Sequence, residues 1–265
     1  FPIMRIGVDI MGGDFAPEKT IHGAILASNE LSNNEHIVLI GNKKSILQEL
    51  LHHKADENQF EIVDASQVIE MGDHPTKALK QKPDSSIAKG FELLVKGEID
   101  GFASAGNTGA MFVGGFYTVK AISGVIRPCI STILPKENGS VGVLLDVGAN
   151  ADCKPDVLYQ FGILGSLFAE FVCGVKNPKI GLLNLGEEKT KGNLLTQATY
   201  SMMHGTEDFN FIGNIESRDI FTEQGDVIVC DGFTGNIVLK QAEAFYNLIA
   251  KRGIEDDYLN RFNYE

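Results

Sequence analysis

"IDGFASAGNTGAMFVGG", residues 99–115, is the stretch on which the fold turns. Its first five residues, IDGFA, form a short apolar run of strand character. Gly106 and Gly109 bracket Asn107 and Thr108, and MFVGGFYTVKAI, Met111–Ile122, reads as a helix. A strand, a glycine-rich turn and a helix N-terminus place unpaired N–H groups and the positive end of a helix dipole over the turn, which favours an anion. The Lys-Ser/Thr ending of a nucleotide-binding P-loop is absent. The turn therefore reads as a phosphate loop without the parts that act on a phosphoanhydride.

The same grammar continues on both sides. Upstream, strands at Arg5–Asp9, His36–Gly41 and Phe60–Asp64 alternate with helices at Pro17–Glu30, Lys43–His53 and Ser85–Lys96. Such alternation means parallel strands with crossover helices. The middle breaks it: CISTILP (Cys129–Pro135) and VGVLLDVG (Val141–Gly148) flank Asn138-Gly139, a hairpin signal, so an antiparallel pair is expected between parallel units. Alternation resumes with a helix over Asp156–Val172, a strand at Lys179–Gly186, a helix at Asn193–Met203, strands at Phe209–Gly213 and Asp226–Gly232, and a helix over Thr234–Lys251. The reading is a single α/β domain over residues 4–265, with Phe1-Pro2-Ile3 an added remnant ahead of a natural start at Met4.

Bulk composition narrows the class. At 265 residues, 43% hydrophobic and 22% charged, the chain can bury a large core. A net charge of -12 argues against a broad nucleic-acid footprint. The four cysteines, Cys129, Cys153, Cys173 and Cys230, show no C-x-x-C spacing and fit reduced thiols in a cytoplasm. No apolar run approaches membrane-spanning length and no signal peptide is visible. The six histidines show no metal spacing, and neither a metal nor a cofactor is expected.

Five strands end in loops rich in Gly, Asn and Asp: VDIMGGDFAP (Val8–Pro17), SAGNTGA (Ser104–Ala110), LLDVGANADCKPD (Leu144–Asp156), LLNLGEEKTKGN (Leu182–Asn193) and DGFTGN (Asp231–Asn236). In open α/β sheets ligands bind at the carboxyl ends of strands, where such loops gather. Asn supplies an NH₂ donor and tolerates turn conformations. Any one loop is a plain turn; five together read as a phosphate or acyl site.

These motifs, in this order from Met4 to about Ala250, resemble those of the bacterial phosphate acyltransferases of phospholipid synthesis, the PlsX family. The resemblance implies a Rossmann-like three-layer α/β/α fold, like that of phosphotransacetylases and the isocitrate dehydrogenase group, working as a homodimer. It implies acyl transfer from acyl-acyl carrier protein to inorganic phosphate, the acyl phosphate then passing to a membrane glycerol-3-phosphate acyltransferase. Peripheral membrane association rests on the resemblance alone. Ile10 stands where the family commonly has Ala, and Ser217 where Gly is frequent. The family continues into long helices and a Tyr-Gly-Gly tail; here the last helix passes into GIEDDYLNRFNYE, Gly253–Glu265, so a helical segment and its dimer or membrane contacts are expected to be missing.

The chemistry then suits the opening loop. Held and oriented phosphate attacks a thioester directly, so no enzyme nucleophile is required. The enzyme binds phosphate and stabilises an oxyanion. Gly106, Thr108 and Gly109, with Ser104, suit phosphate; Asn107, Asn150 and Asn236 are candidate donors for either task, and Lys154 supplies positive charge. The set includes Gly12, Gly13, Asp146, Asp231 and Gly235, with Asp231 alternatively closing a turn. Asp9 and Asp14 either orient a loop in the site or cap the helix beginning near Pro17. Cys153, commonly Ala in the family, reads as a bystander thiol, and Lys191-Gly192-Asn193 as a stretch near the site. Lys77, Lys80, Lys82 and Lys89 form either a basic patch for acidic carrier protein or a solvated helix face. Two other readings stay open: a phosphotransacylase using acyl-coenzyme A, and a non-catalytic anion-binding module. A nicotinamide-dependent dehydrogenase is disfavoured for want of a G-x-G-x-x-G after a strand.

Overall fold

The computed structural model describes residues 3–253, and the chain divides into two compact units at Ile122/Ser123. The expectation for the terminal tail falls at residues 254–265, outside the described residues, as do residues 1 and 2.

The first unit holds β1 (Met4–Asp9), β2 (Glu35–Gly41), β3 (Glu61–Asp64) and β4 (Gly101–Ala103) in the order β3-β2-β1-β4, all parallel. Its helices are α1 (Glu18–Ser28), α2 (Lys43–His52), α3 (Pro75–Gln81), α4 (Ser86–Lys96) and α5 (Thr108–Gly114). Strand residues alternate between faces, and β2 is apolar on both. Ile37 and Leu39 pack with Ile21 of α1 and Ile46 and Leu50 of α2. Val38 and Ile40 pack with Ile99, Phe102 and Leu93 of α4 on the opposite face.

Two local details differ from the sequence reading. α3 has no strong periodic signal because its neighbours are lysines; Pro75 starts it and buried Ala78 anchors it. The helix expected over Met111–Ile122 begins earlier, as α5, and changes into a π-helical segment at Gly115–Val119. The adjacent glycines 114 and 115 weaken α-helix at that point. Gly114 also lies so close to Phe91 that an added Cβ would meet the ring at 2.2 Å.

The second unit holds β5 (Ser131–Pro135), β6 (Val141–Leu145), β7 (Lys179–Asn184), β8 (Asn210–Glu216) and β9 (Val227–Val229), ordered β5-β6-β9-β7-β8. Its helices are α6 (Pro155–Phe171), α7 (Leu194–Met203) and α8 (Gly232–Lys251). The hairpin forms as expected, but as the edge of this sheet: β5 pairs antiparallel with β6, and β6 pairs parallel with β9. Val143, Leu145, Val227 and Val229 face α6 through Val157, Leu158 and Phe161. Leu144, Leu183 and Ile228 face the other way, against Val238 and Leu239 of α8. Helices thus cover both faces of each sheet, a three-layer α/β/α architecture with mostly parallel strands.

One buried cation fixes the hairpin. Lys136 is 1% exposed, donates to the carbonyls of Thr222 (2.8 Å) and Gly225, and lies 3.9 Å from Asp226. Burial pushes its ammonium pKa below the usual lysine value.

Candidate active site

In the first unit the loops after β1 and β4 are tied by a relay. The Gly106 N–H donates to Ser104 Oγ (3.0 Å), and that hydroxyl donates to Asp9 Oδ2 (2.7 Å). Asp9 Oδ1 accepts from Met11 N–H at 3.0 Å, and the residue is 2% exposed. Gly12 sits where only hydrogen fits: a Cβ there would lie 2.6 Å from both Asp9 Oδ2 and the Gly106 nitrogen. Asp9, Gly12, Ser104 and Gly106 are thereby brought together. The capping alternative for Asp9 and Asp14 does not hold, because α1 has Pro17 at its cap position and no side-chain cap. Instead Thr20 Oγ1 secures the segment by donating to the Ile10 carbonyl at 2.8 Å. Asp14 is exposed, and Gly13 turns the loop at φ +102°.

Asn107 has a scaffold task. Its Oδ1 accepts from Ala110 N–H (2.9 Å), capping α5, while Nδ2 lies within hydrogen-bonding distance of the carbonyls of Glu70 (3.0 Å), Met71 (3.2 Å) and Asp73 (3.1 Å). Both ends of the amide are engaged, so the donor expected for substrate is already used. Thr108 is exposed, and the first-turn amides of Thr108 and Gly109 have no intrahelical partner.

In the second unit Asp146 plays the corresponding part more completely. It is fully buried and accepts from Ile130 N (3.1 Å), Ala149 N (3.1 Å), Asn150 N (2.7 Å) and Asn150 Nδ2 (2.8 Å). Asn150 Nδ2 also donates to the Pro128 carbonyl (2.8 Å), so this second candidate donor is likewise committed inward. α8 starts directly against this loop. A Cβ on Gly235 would lie 1.9 Å from the Asp146 carbonyl oxygen, and one on Gly232 would lie 2.8 Å from the Asn150 nitrogen. Asn236 and Lys154 are exposed; Lys154 occupies the cap position of α6 and makes no ion pair among the described residues.

A cavity of about 330 Å³ opens at the carboxyl ends of β7 and β9. Asn184 ends β7 at its wall, and the first turns of α7 and α8 supply Thr196 and Thr234, with their caps Asn193 and Asp231. Asn193 Oδ1 accepts from Thr196 N–H at 2.9 Å; Asp231 accepts from Thr234 N–H (2.8 Å) and Oγ1 (2.9 Å). Two helix N-termini thus border one opening, a setting for negative charge. Gly192 and Asn193 stand in this wall and Lys191 does not. Asn184, Thr196 and Ser217 were not read as site residues, although Asn184 belongs to one of the glycine-rich loops and Thr196 follows it by three residues.

The thiols nearby are not activated. Cys153 is pushed up to about 11 by burial, with Asp146 and Asp231 adding to it, and its Sγ lies 3.5 Å from the Asn150 carbonyl. Cys230, in the cavity wall, is driven well above the usual thiol value by burial and the same two carboxylates. Nucleophilic catalysis needs the opposite environment.

The family described as "Fatty acid synthesis protein" matches residues 4–256. The chain belongs to this family. Among its relatives, the phosphate acyltransferase of Dictyoglomus turgidum is 46% identical over 240 residues, covering 91% of this chain and 71% of that protein. The phosphate acyltransferase of Desulforamulus reducens is 47% identical over 241 residues, with the same two coverages. The family is thus one of acyltransferase enzymes. The fold agrees with solved phosphotransacetylases: the Streptococcus pyogenes protein superposes with a TM-score of 0.66 at 17% identity, covering 91% of this chain and 82% of that one. The Staphylococcus aureus EutD protein gives 0.63 at 13%, with the same coverages.

Proposed function

We propose that this acyltransferase moves a fatty acyl group from acyl-acyl carrier protein to inorganic phosphate, releasing acyl phosphate for phospholipid synthesis. The observation that carries the reading is the second-unit cavity: two helix N-termini border it, and the thiol in its wall is held protonated. Such a place favours a bound phosphate or a developing oxyanion and offers no competing nucleophile. Phosphate oxygen attacks the thioester carbonyl, the tetrahedral oxyanion collapses, and the carrier thiolate leaves to take up a proton. In this reading the anions take the first-turn amides that the caps leave over, those of Leu194 and Leu195 in α7 and Phe233 in α8, together with exposed Asn236 and Lys154, and exposed Thr108 is a second polar group of this kind in the first unit. Asp9, Asp146, Asn107 and Asn150 act by fixing those loops. A homodimer, delivery to a membrane glycerol-3-phosphate acyltransferase and cytoplasmic location with peripheral membrane contact belong to the same reading. Among the described residues no helix is long and apolar enough to cross a membrane.

The test is a phosphate-dependent assay with long-chain acyl-acyl carrier protein, the acyl phosphate trapped with hydroxylamine. Product that requires phosphate, and persists in Cys153→Ala and Cys230→Ala, is expected. Product only from acyl-coenzyme A would make the chain a phosphotransacylase instead. A labelled acyl group retained on either cysteine would sink direct attack.

A further inference from the structure

The first unit contains a second cavity, of about 420 Å³, away from the relay of Asp9 and Ser104. Its size is within the roughly 300–1,000 Å³ of small-molecule sites. Three helical segments line it: Leu79 and Lys80 from α3, Phe91 from α4, and Val113, Gly114 and Tyr117 from α5 and its π-helical continuation. Apart from Lys80 the wall is apolar or hydroxyl-bearing. The π-helical turn is itself a departure that collects at functional sites.

The charges around it are asymmetric. Of the four lysines read as a basic patch, Lys82 is paired with Asp73 at 2.6 Å and Lys89 with Asp84 at 3.0 Å. Lys77 and Lys80 have no carboxylate partner among the described residues, and Lys80 is the one at the cavity. An apolar slot with one uncompensated cation complements an aliphatic chain that ends in an anion. The two helices α3 and α5 that line the slot also meet at the end of the Gly106–Gly109 turn. Pro75, which starts α3, touches Gly109, where an added Cβ would meet its Cγ at 2.5 Å. From Gly109 α5 advances about 7.5 Å to Gly114, at roughly 1.5 Å per residue.

The geometry points to this cavity as the seat of a long-chain fatty acyl tail, with Lys80 facing the anionic head. Its place in catalysis rests on the acyl-transfer reading; its binding test does not. Purified protein is titrated with a fluorescent polyene fatty acid, cis-parinaric acid, and the signal is displaced with palmitate. Val113→Phe fills the slot from α5, Lys80→Glu reverses the exposed charge, and Lys80→Arg keeps it. Val113→Phe is expected to weaken probe binding by about tenfold or more, as hydrophobic pockets discriminate on such a scale. Lys80→Glu is expected to weaken it about threefold, with Lys80→Arg near wild type. The ratio of kcat/KM for palmitoyl over butyryl donors falls along with probe affinity in Val113→Phe.

Absence of saturable binding to the wild-type protein would overturn the assignment. So would wild-type affinity in a cooperatively melting Val113→Phe protein. If that variant does not fold, wild-type affinity in Lys80→Glu overturns it. Should the wild-type protein make no acyl phosphate from any thioester, acyl transfer fails while the titration still decides the cavity.

Discussion

The two units fasten their carboxyl-end loops with the same device at different strengths. In the first, Asp9 accepts from one amide and one hydroxyl, and the relay ends at Gly106. In the second, Asp146 accepts from three amides and a side-chain NH₂, and glycines of α8 press against its backbone. A buried carboxylate is tolerated where hydrogen bonds replace its water, and each missing donor raises the cost. These Gly-, Asn- and Asp-rich loops spend their buried polar side chains, Asp9, Asn107, Asp146 and Asn150, on themselves and their neighbours. What is left for a ligand is backbone amides, hydroxyls and the side chains the loops leave exposed, such as Lys154 and Asn236.

The comparison breaks most visibly at Asp146. Asp146→Ala should cost about 3 kcal/mol or more in urea unfolding, since it strands several buried donors, whereas Asp9→Ala should cost about 2 kcal/mol. Equal losses would mean that the two loops are fastened alike. Asn107→Ala should destabilise by about 1–2 kcal/mol through loss of the α5 cap. If it abolishes phosphate-dependent turnover with an unchanged unfolding midpoint, Asn107 is a donor to substrate and the scaffold account is wrong.

Acid sharpens the contrast more gently. The Asp73 carboxyl is held below its usual value by the Lys82 hydrogen bond, and Asp84 by Ser66 and then Lys89, both in the first unit. Depressed folded values stabilise above the unfolded carboxylate range and lose that contribution as pH falls through it. The thermal midpoint should therefore drop below about pH 4, and Asp84→Asn should shrink the drop. The smallest effect is expected at Cys153. Burial pushes its thiol up to about 11, so iodoacetamide should label it more slowly than an ordinary thiol near neutral pH. Cys153→Ala should leave turnover close to wild type.

Legibility followed the range of the interactions. β2 and β9 were readable because a strand covered on both faces is a continuous apolar run, and the hairpin because Asn138-Gly139 acts locally. The pairing of β6 with β9 joins Leu144 to Ile228, and nothing local announces a partner so far along the chain. α3 was hidden because its burial depends on neighbours such as Phe91 and Ala110 around Ala78, not on its own periodicity. The candidate site divided in the same way. The loops were legible as motifs, but whether Asn107 turns inward depends on carbonyls 34–37 residues away. Asn184 and Thr196 became site residues only once β7 and α7 met at the cavity.

Lys136 gives the second unit a built-in reporter. An amine reagent added to folded protein labels exposed lysines and passes over this one, whose ammonium is enclosed by the carbonyls of Thr222 and Gly225. Opening of the hairpin edge frees the amine, so its acylation, read by peptide mass, counts how often that edge lifts while the rest of the sheet stays intact. Footprinting at one lysine would then separate fraying of the β5–β6 edge from global unfolding without any introduced probe.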